Sequence, residues 1–248
     1  MLKNDHNWLK RAVIYHILID RFAGFTTDDA LKWDYPNFVG GTIKGIIPKL
    51  EYLVELGINT LWLSPFYKNA AQDDTYHGYH VTDYFTVDER FGNINDLRSL
   101  INECHKRNMR IIADFVPNHC HESHNFFQKA LNDANSTYRQ WFHFTNKNYN
   151  HYLNCKWLPK FNLENKDARM YMIKAALFWI DLGLDGYRID HVVGLSHSFL
   201  RELSIAVKQK HNQCVLIGEA VFDSASLRKY YDTIPMKNKF YRRLFGFN

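Results

Sequence analysis

The sequence predicts an α/β fold with parallel strands, and three observations carry that expectation. An amphipathic segment, a Gly or Asn stop and a short apolar run recur four times along the 248 residues. The segments between successive apolar runs are long enough for crossover helices, which neighbouring parallel strands require. The apolar runs are nearly continuous and not alternating, as expected of strands covered on both faces.

The elements follow in order. Residues 12–19 form the opening strand. A helix over 45–56 places Ile46, Ile47, Leu50, Leu53 and Val54 on one face, stops at Gly57 and leads into a strand over 58–63. A helix over 96–107 turns Leu97, Leu100, Ile101 and Cys104 inward, stops at Asn108 and feeds a strand over 109–115. A helix over 167–182 with Met170, Ile173, Leu177 and Ile180 on one face stops at Gly183 and precedes a strand over 184–190. A helix over 197–211, with Phe199, Leu200, Leu203 and Val207 inward, leads to a fifth strand over 214–218. Residues 64–92 and 117–165 interrupt this rhythm. Such long connections are usually functional and lie at the C-terminal edge of a parallel sheet.

Composition narrows the function classes. The 31 basic and 26 acidic side chains leave a net charge of only +5, and no basic run is present, so a nucleic-acid partner is not expected. The apolar share of 46% and charged share of 23% suit a soluble globular chain. No apolar run follows the first charged residues, so neither a leader nor a membrane span is expected, and a cytoplasmic location is predicted. Cys104, Cys120, Cys155 and Cys214 lack C-x-x-C spacing, which argues against zinc and agrees with a reducing compartment; a Cys120–Cys155 bridge is left open. The 18 Phe, 15 Tyr and 6 Trp suit core filling and, at some positions, the apolar faces of sugars or bases.

Three strands finish in a carboxylate: Asp114, Asp190 and Glu219. In a barrel of parallel strands these would project into one mouth. Crowded carboxylates raise one another's pKa, so one can stay protonated while another is held ionised by a cation. Arg188 lies two residues before Asp190 on the same face, where it is expected either to keep Asp190 ionised or to form a structural ion pair. Such a pair suits cleavage of an acetal between sugars, and a retaining mechanism needs the two carboxyls about 5–5.5 Å apart.

Asp114-Phe115-Val116-Pro117-Asn118-His119, Gly186-Tyr187-Arg188-Ile189-Asp190 and Ile217-Gly218-Glu219-Ala220 resemble, in order, the first three sequence regions of the α-amylase family, glycoside hydrolase family 13. The resemblance extends to Ala12-Val13-Ile14-Tyr15-His16 with Asp20-Arg21-Phe22, to Leu61-Trp62-Leu63-Ser64-Pro65-Phe66, and to the loop from His77 to Tyr84 with Arg90-Phe91-Gly92. It implies a TIM (β/α)8-type barrel, Asp190 as nucleophile, Glu219 as general acid/base and Arg188 as the cation orienting the nucleophile. It also implies sugar contacts from His119 and Tyr79, with Asp114 placed in the same cleft as a structural member and not a catalyst. Asn118 matches a residue that ligates calcium in some members, so Ca2+ is a candidate cofactor and the metal ligands stay unassigned. Trp157-Leu158-Pro159-Lys160-Phe161-Asn162 is similar to a segment of the cyclomaltodextrinase and neopullulanase branch.

One departure stands out. The family's third carboxylate sits in a His-Asp pair on the seventh strand, and no His-Asp dipeptide occurs in the 248 residues. Only 248 − 219 = 29 residues follow Glu219, too few for three more strands and helices. The expectation is a partial barrel over 1–248, carrying strands one to five, with 117–165 as an inserted subdomain after strand three. A fragment, a split protein completed by a second chain and a relic are the competing explanations, and truncation is preferred. The resemblance implies a retaining hydrolase of α-glucans or maltooligosaccharides. A transglycosylase and a non-catalytic glucan-binding or vestigial protein, with Tyr79 and Tyr84 as platforms, are the alternatives.

Overall fold

The structure, a computed structural model, describes residues 7–25, 37–146 and 148–220. Five parallel strands form one sheet: β1 (Ile14–Ile17), β2 (Thr60–Leu63), β3 (Arg110–Phe115), β4 (Gly186–Ile189) and β5 (Val215–Gly218). Their spatial order is β1-β2-β3-β4-β5, the same as their order in the chain. This is the first part of a β/α barrel, as expected. The residues from 221 onward, which bear on how the sheet ends, lie outside the described residues.

The three longest helices between strands start where a side chain satisfies the first free amides. Asn93 caps Ile94–Lys106 in a reciprocal box with Asp96, Asn165 caps Lys166–Leu182, and Ser196 caps His197–Lys210. The caps extend two of these helices by one or two residues beyond the apolar pattern. The single helix expected over 45–56 is instead broken into Ile43–Ile46, a 3-10 turn over Ile47–Lys49 and Leu50–Glu55. Pro48 explains the break, because it has no N–H and its ring crowds the carbonyl four residues earlier.

The helix-facing side of the sheet is the main core, with Ile17, Leu61, Leu63, Ile111, Phe115, Tyr187 and Ile189 buried against Leu100, Trp179 and Leu203. The inward side carries Trp62, Ile112, Val215 and Ile217, closed at the lower end by Trp8. The Trp8 indole donates to Gln213 O at 2.9 Å.

Both interruptions hold structure of their own. After β2, Tyr67–Asn69 pairs antiparallel with Val81–Val87. After β3 come the helix Asn125–Asn132 and two small hairpins, Phe144–Thr145 with Asn148–Tyr149 and His151–Tyr152 with Cys155–Pro159. Tyr84, expected as a possible glucan platform, is instead a core residue with no exposed surface. Its one hydroxyl proton is shared between the carbonyls of Val116 and His119. Cys120 and Cys155 are both free thiols, so the bridge left open by the sequence is not formed. Among the described residues no helix is long and apolar enough to cross a membrane.

Candidate active site

Strand register brings the three carboxylates together. Arg188 lies opposite Asp114, and Ile189 opposite Gly218, so Asp190 and Glu219 leave adjacent strand ends side by side. The turn beyond each strand is held by backbone bonds, Asp190 N–H to Phe115 O at 2.8 Å and Glu219 N–H to Ile189 O at 2.9 Å.

Arg188 is the hub. Its Nη1 donates to Asp114 Oδ1 and, at 3.0 Å, to Asp190 Oδ1, while Nη2 lies 2.6 Å from Glu219 Oε1. Glu219 Oε2 accepts the His191 N–H at 2.9 Å. Asp190 Oδ2, by contrast, is buried with no hydrogen-bond partner. One oxygen of that carboxyl is therefore anchored and the other keeps its lone pairs.

The cation does not outweigh burial at Asp190. Desolvation, and then the charge of Asp114, push its carboxyl up to about 7 against the pull of Arg188. Arg188 pulls Asp190 toward ionisation, as the spacing leads one to expect, while burial and then Asp114 oppose it. Asp114, with no exposed surface, is pushed up to about 6 by burial, opposed by Arg188, Tyr79 and Trp62. Burial alone would lower Arg188, but Asp114, Tyr79 and Asp190 raise it, so the guanidinium stays charged.

Asp114 is saturated within the protein. Besides Arg188 it accepts from the Trp62 indole at 3.1 Å and the Tyr79 hydroxyl at 3.0 Å, both at Oδ2. Trp62 also lies beneath the Arg188 guanidinium, 5.4 Å from ring centre to Cζ, and stacks on His16 at 4.0 Å. Sequence reasoning assigns no role in this layer to Trp62 or His16. Strand alternation held the signal, since Trp62 pairs with Ile112 and so shares the inward face with Asp114 two residues on.

Tyr79 is placed by its loop. Gly78 adopts φ +86°, and a Cβ there would sit 2.1 Å from Pro65 O, so the chain can approach β2 this closely only with glycine. The next amide, His80 N–H, donates to Asn69 Oδ1 at 2.7 Å. His119 contacts the Tyr79 carbonyl through Nε2 at 3.2 Å and Asn118 Nδ2 through Nδ1 at 3.3 Å. That pattern fits the neutral Nε2–H tautomer, and burial pushes the imidazole down to about 3. His119 is only 2% exposed, beneath the ring of Tyr152.

Asn118 Oδ1 is buried without a partner, which is the one feature that points toward calcium. A hard cation needs six to eight oxygens, and no group of three His, Cys, Asp or Glu among the described residues is placed to hold a metal. Among the described residues, no acidic cluster stands with Asn118 to complete such a shell.

A model of the α-amylase catalytic domain matches residues 16–240. α-Amylase 2 of Dictyoglomus thermophilum is 40% identical over 224 residues, covering 90% of this chain and 39% of that protein. A cyclomaltodextrinase from a Bacillus species is 34% identical over 238 residues, covering 88% of this chain and 42% of that protein. Among solved structures, the cyclic α-maltosyl-(1→6)-maltose hydrolase of Arthrobacter globiformis superimposes with a TM-score of 0.77 at 36% identity, covering 86% of this chain and 52% of that one. The chain thus spans about two-fifths of the length of the curated relatives and about half of the solved one.

Proposed function

The chain belongs to the α-amylase catalytic-domain family, and from that premise we propose that the protein hydrolyses α-glucosidic bonds in α-glucans or maltooligosaccharides with retention of configuration. Asp190 is the nucleophile, Glu219 the general acid/base and Arg188 the cation that orients both. Asp114 positions Arg188 and Tyr79, while Tyr79 and His119 line the sugar's site. The observation that carries this reading is the asymmetry of Asp190, with Oδ1 on Arg188 and Oδ2 buried without a partner, next to a Glu219 held on the same guanidinium. Two carboxyls on one guanidinium suit the short spacing of about 5–5.5 Å that a covalent route requires.

In the first step Asp190 Oδ2 attacks the anomeric carbon while Glu219 gives its proton to the leaving oxygen. In the second, Glu219 takes a proton from water, which opens the ester. Residues 1–248 are read as a partial catalytic barrel with 117–165 as its inserted subdomain, completed by strands from outside these residues that bring the third carboxylate. The four free thiols favour the cytoplasm.

The test is the anomer first released from a maltooligosaccharide by the full-length protein, read by proton NMR: α is expected, and β overturns the double displacement. One other reading is a non-catalytic glucan-binding protein. Tight maltooligosaccharide binding without turnover by the full-length protein would establish it.

A further inference from the structure

The residue that follows Asp190 has a backbone that few side chains adopt. His191 stands at φ 44° and ψ 50°, in the left-handed region, and opens the 3-10 turn Val192–Gly194. A Cβ makes this conformation unfavourable, and a β-branched side chain makes it more so. The bend aims two successive amides at one residue. His191 N–H donates to Glu219 Oε2 at 2.9 Å, and Val192 N–H donates to Glu219 O at 3.1 Å. Neighbouring N–H groups converge in this way where a left-handed residue adjoins helical ones, forming a small concavity suited to an anion.

The side chain is fitted to the same bend. A Cβ on Gly194 would stand 2.4 Å from His191 Cδ2, so the ring lies close against a residue that has none. It also meets edge-on, at 4.9 Å and 90°, the ring of Tyr152 at the mouth, which covers His119 at 4.7 Å. These contacts offset the unfavourable backbone. Burial, and then the charge of Lys160, lower the imidazole pKa against the pull of Glu219. The ring is therefore neutral at neutral pH, and what His191 offers Glu219 is its peptide N–H.

We propose that His191 is a positioning residue for the general acid/base. Its left-handed backbone turns its N–H onto Glu219 Oε2 and stabilises the carboxylate that Glu219 becomes when its proton passes to the leaving oxygen. The inference rests on the glycosidase reading above. A hydrogen bond to an ionised oxygen is stronger than one to a neutral carboxyl, so the contact tightens as the proton leaves and lowers the barrier of that step. Arg188 Nη2, 2.6 Å from Oε1, serves the other oxygen. The role belongs to the backbone, and glycine reaches the left-handed region most readily.

The experiment sets maltotetraose, whose leaving sugar needs the proton, against α-maltosyl fluoride, whose leaving group needs little protonic help. The proteins are full-length wild type, His191→Gly, His191→Ala and His191→Val, and the readout is the ratio of kcat/KM for maltotetraose to that for the fluoride. His191→Gly, which has no ring but takes the bend freely, is expected to stay within about threefold of wild type. His191→Val is expected to fall at least about tenfold, equivalent to ~1.4 kcal/mol, with His191→Ala between the two. A ratio that His191→Val leaves unchanged, or one that His191→Gly lowers as far as His191→Val does, overturns the assignment, the latter by giving the role to the ring. Should His191→Val not fold, a ratio lower in His191→Ala than in His191→Gly supports the assignment, and equal ratios overturn it. A wild-type protein that turns over neither substrate overturns the glycosidase reading itself, and this assignment with it.

Discussion

Arg110 and Asp185 form a buried ion pair, Nη1 to Oδ1 at 2.7 Å, at the end of the sheet opposite Asp114, Asp190 and Glu219. Asp185 Oδ2 also accepts the Ile111 N–H at 2.9 Å and meets His105 Nε2 at 2.8 Å. Asp185→Ala removes all three contacts and leaves the Arg110 charge in a site only 7% exposed. The expected cost is about 3–5 kcal/mol, the range for breaking one side of a buried pair. Urea unfolding of the full-length protein measures it.

Gly186 sits at φ +149°, and a Cβ there would lie 2.1 Å from the Val215 carbonyl on the neighbouring strand. Gly186→Ala adds backbone strain and pushes β5 away from β4. A loss of about 3 kcal/mol is expected, with a fall in activity because β5 carries Glu219. Thermal unfolding and turnover on one preparation check both.

The buried titratable groups pull stability in opposite directions as pH changes. Burial holds His119 at about 3 and His80 and His124 at about 4, below the 6.5 of a free imidazole. Their contribution is present above that value and is lost as pH falls toward the folded values. Asp190 at about 7 and Asp114 at about 6 run the other way, with a contribution complete below 3.8 and lost as pH rises through the folded values. Asp190→Asn is therefore expected to raise the unfolding midpoint at about pH 8 and to steepen its fall between about pH 6.5 and 4. Unfolding curves across that range test the sign.

Tyr79→Phe removes one of the bonds that restrain Asp114. A hydrogen bond to a charged group contributes about 1.5–3 kcal/mol, and Asp114 acts on Asp190 both through Arg188 and through its own charge. A fall in kcat/KM of about tenfold is expected, mostly in kcat, because the ring that faces the sugar is kept. Steady-state kinetics on maltotetraose separates the two parameters.

At the outer edge of the sheet, Val13, just before β1, is 50% exposed and Ile14, its first residue, 38%. Uncovered apolar edges recruit other strands, so this chain is expected to self-associate and to become monodisperse when the strands that complete the barrel are supplied. Sedimentation velocity with and without them tests this.

Much of the fold was legible because helices stop at Gly or Asn and the strands that follow are apolar throughout, as around Gly57 and Asn108. Helix starts were read late, since Asn93 and Asn165 are polar and lie outside the apolar pattern that defined each segment. Asp190, Glu219 and Arg188 could be placed together because strand alternation fixes which side chains share a face. Their protonation could not be read the same way. Proximity of Arg188 to Asp190 follows from spacing, but the share of that charge taken by Asp114 depends on a contact 74 residues away. Tyr84 and Tyr152 show a second limit. Both are tyrosines in long connections, and only the folded loops reveal that one is sealed in the core and the other faces the mouth.

Because spatial and chain order of the five strands coincide, a ribosome releasing this sequence adds each strand beside a partner already made. The nearest ladder neighbours are nevertheless far apart in the chain: Ile14 pairs with Thr60, and Ile112 with Gly186. Contacts this distant slow folding when the whole chain must search at once, whereas vectorial synthesis turns the search into four successive dockings. The bond from Trp8 to Gln213 joins residues 205 apart and is the exception. It can form only once Gln213, just ahead of β5, has emerged, which makes it a late latch on an assembly otherwise built in the order of translation.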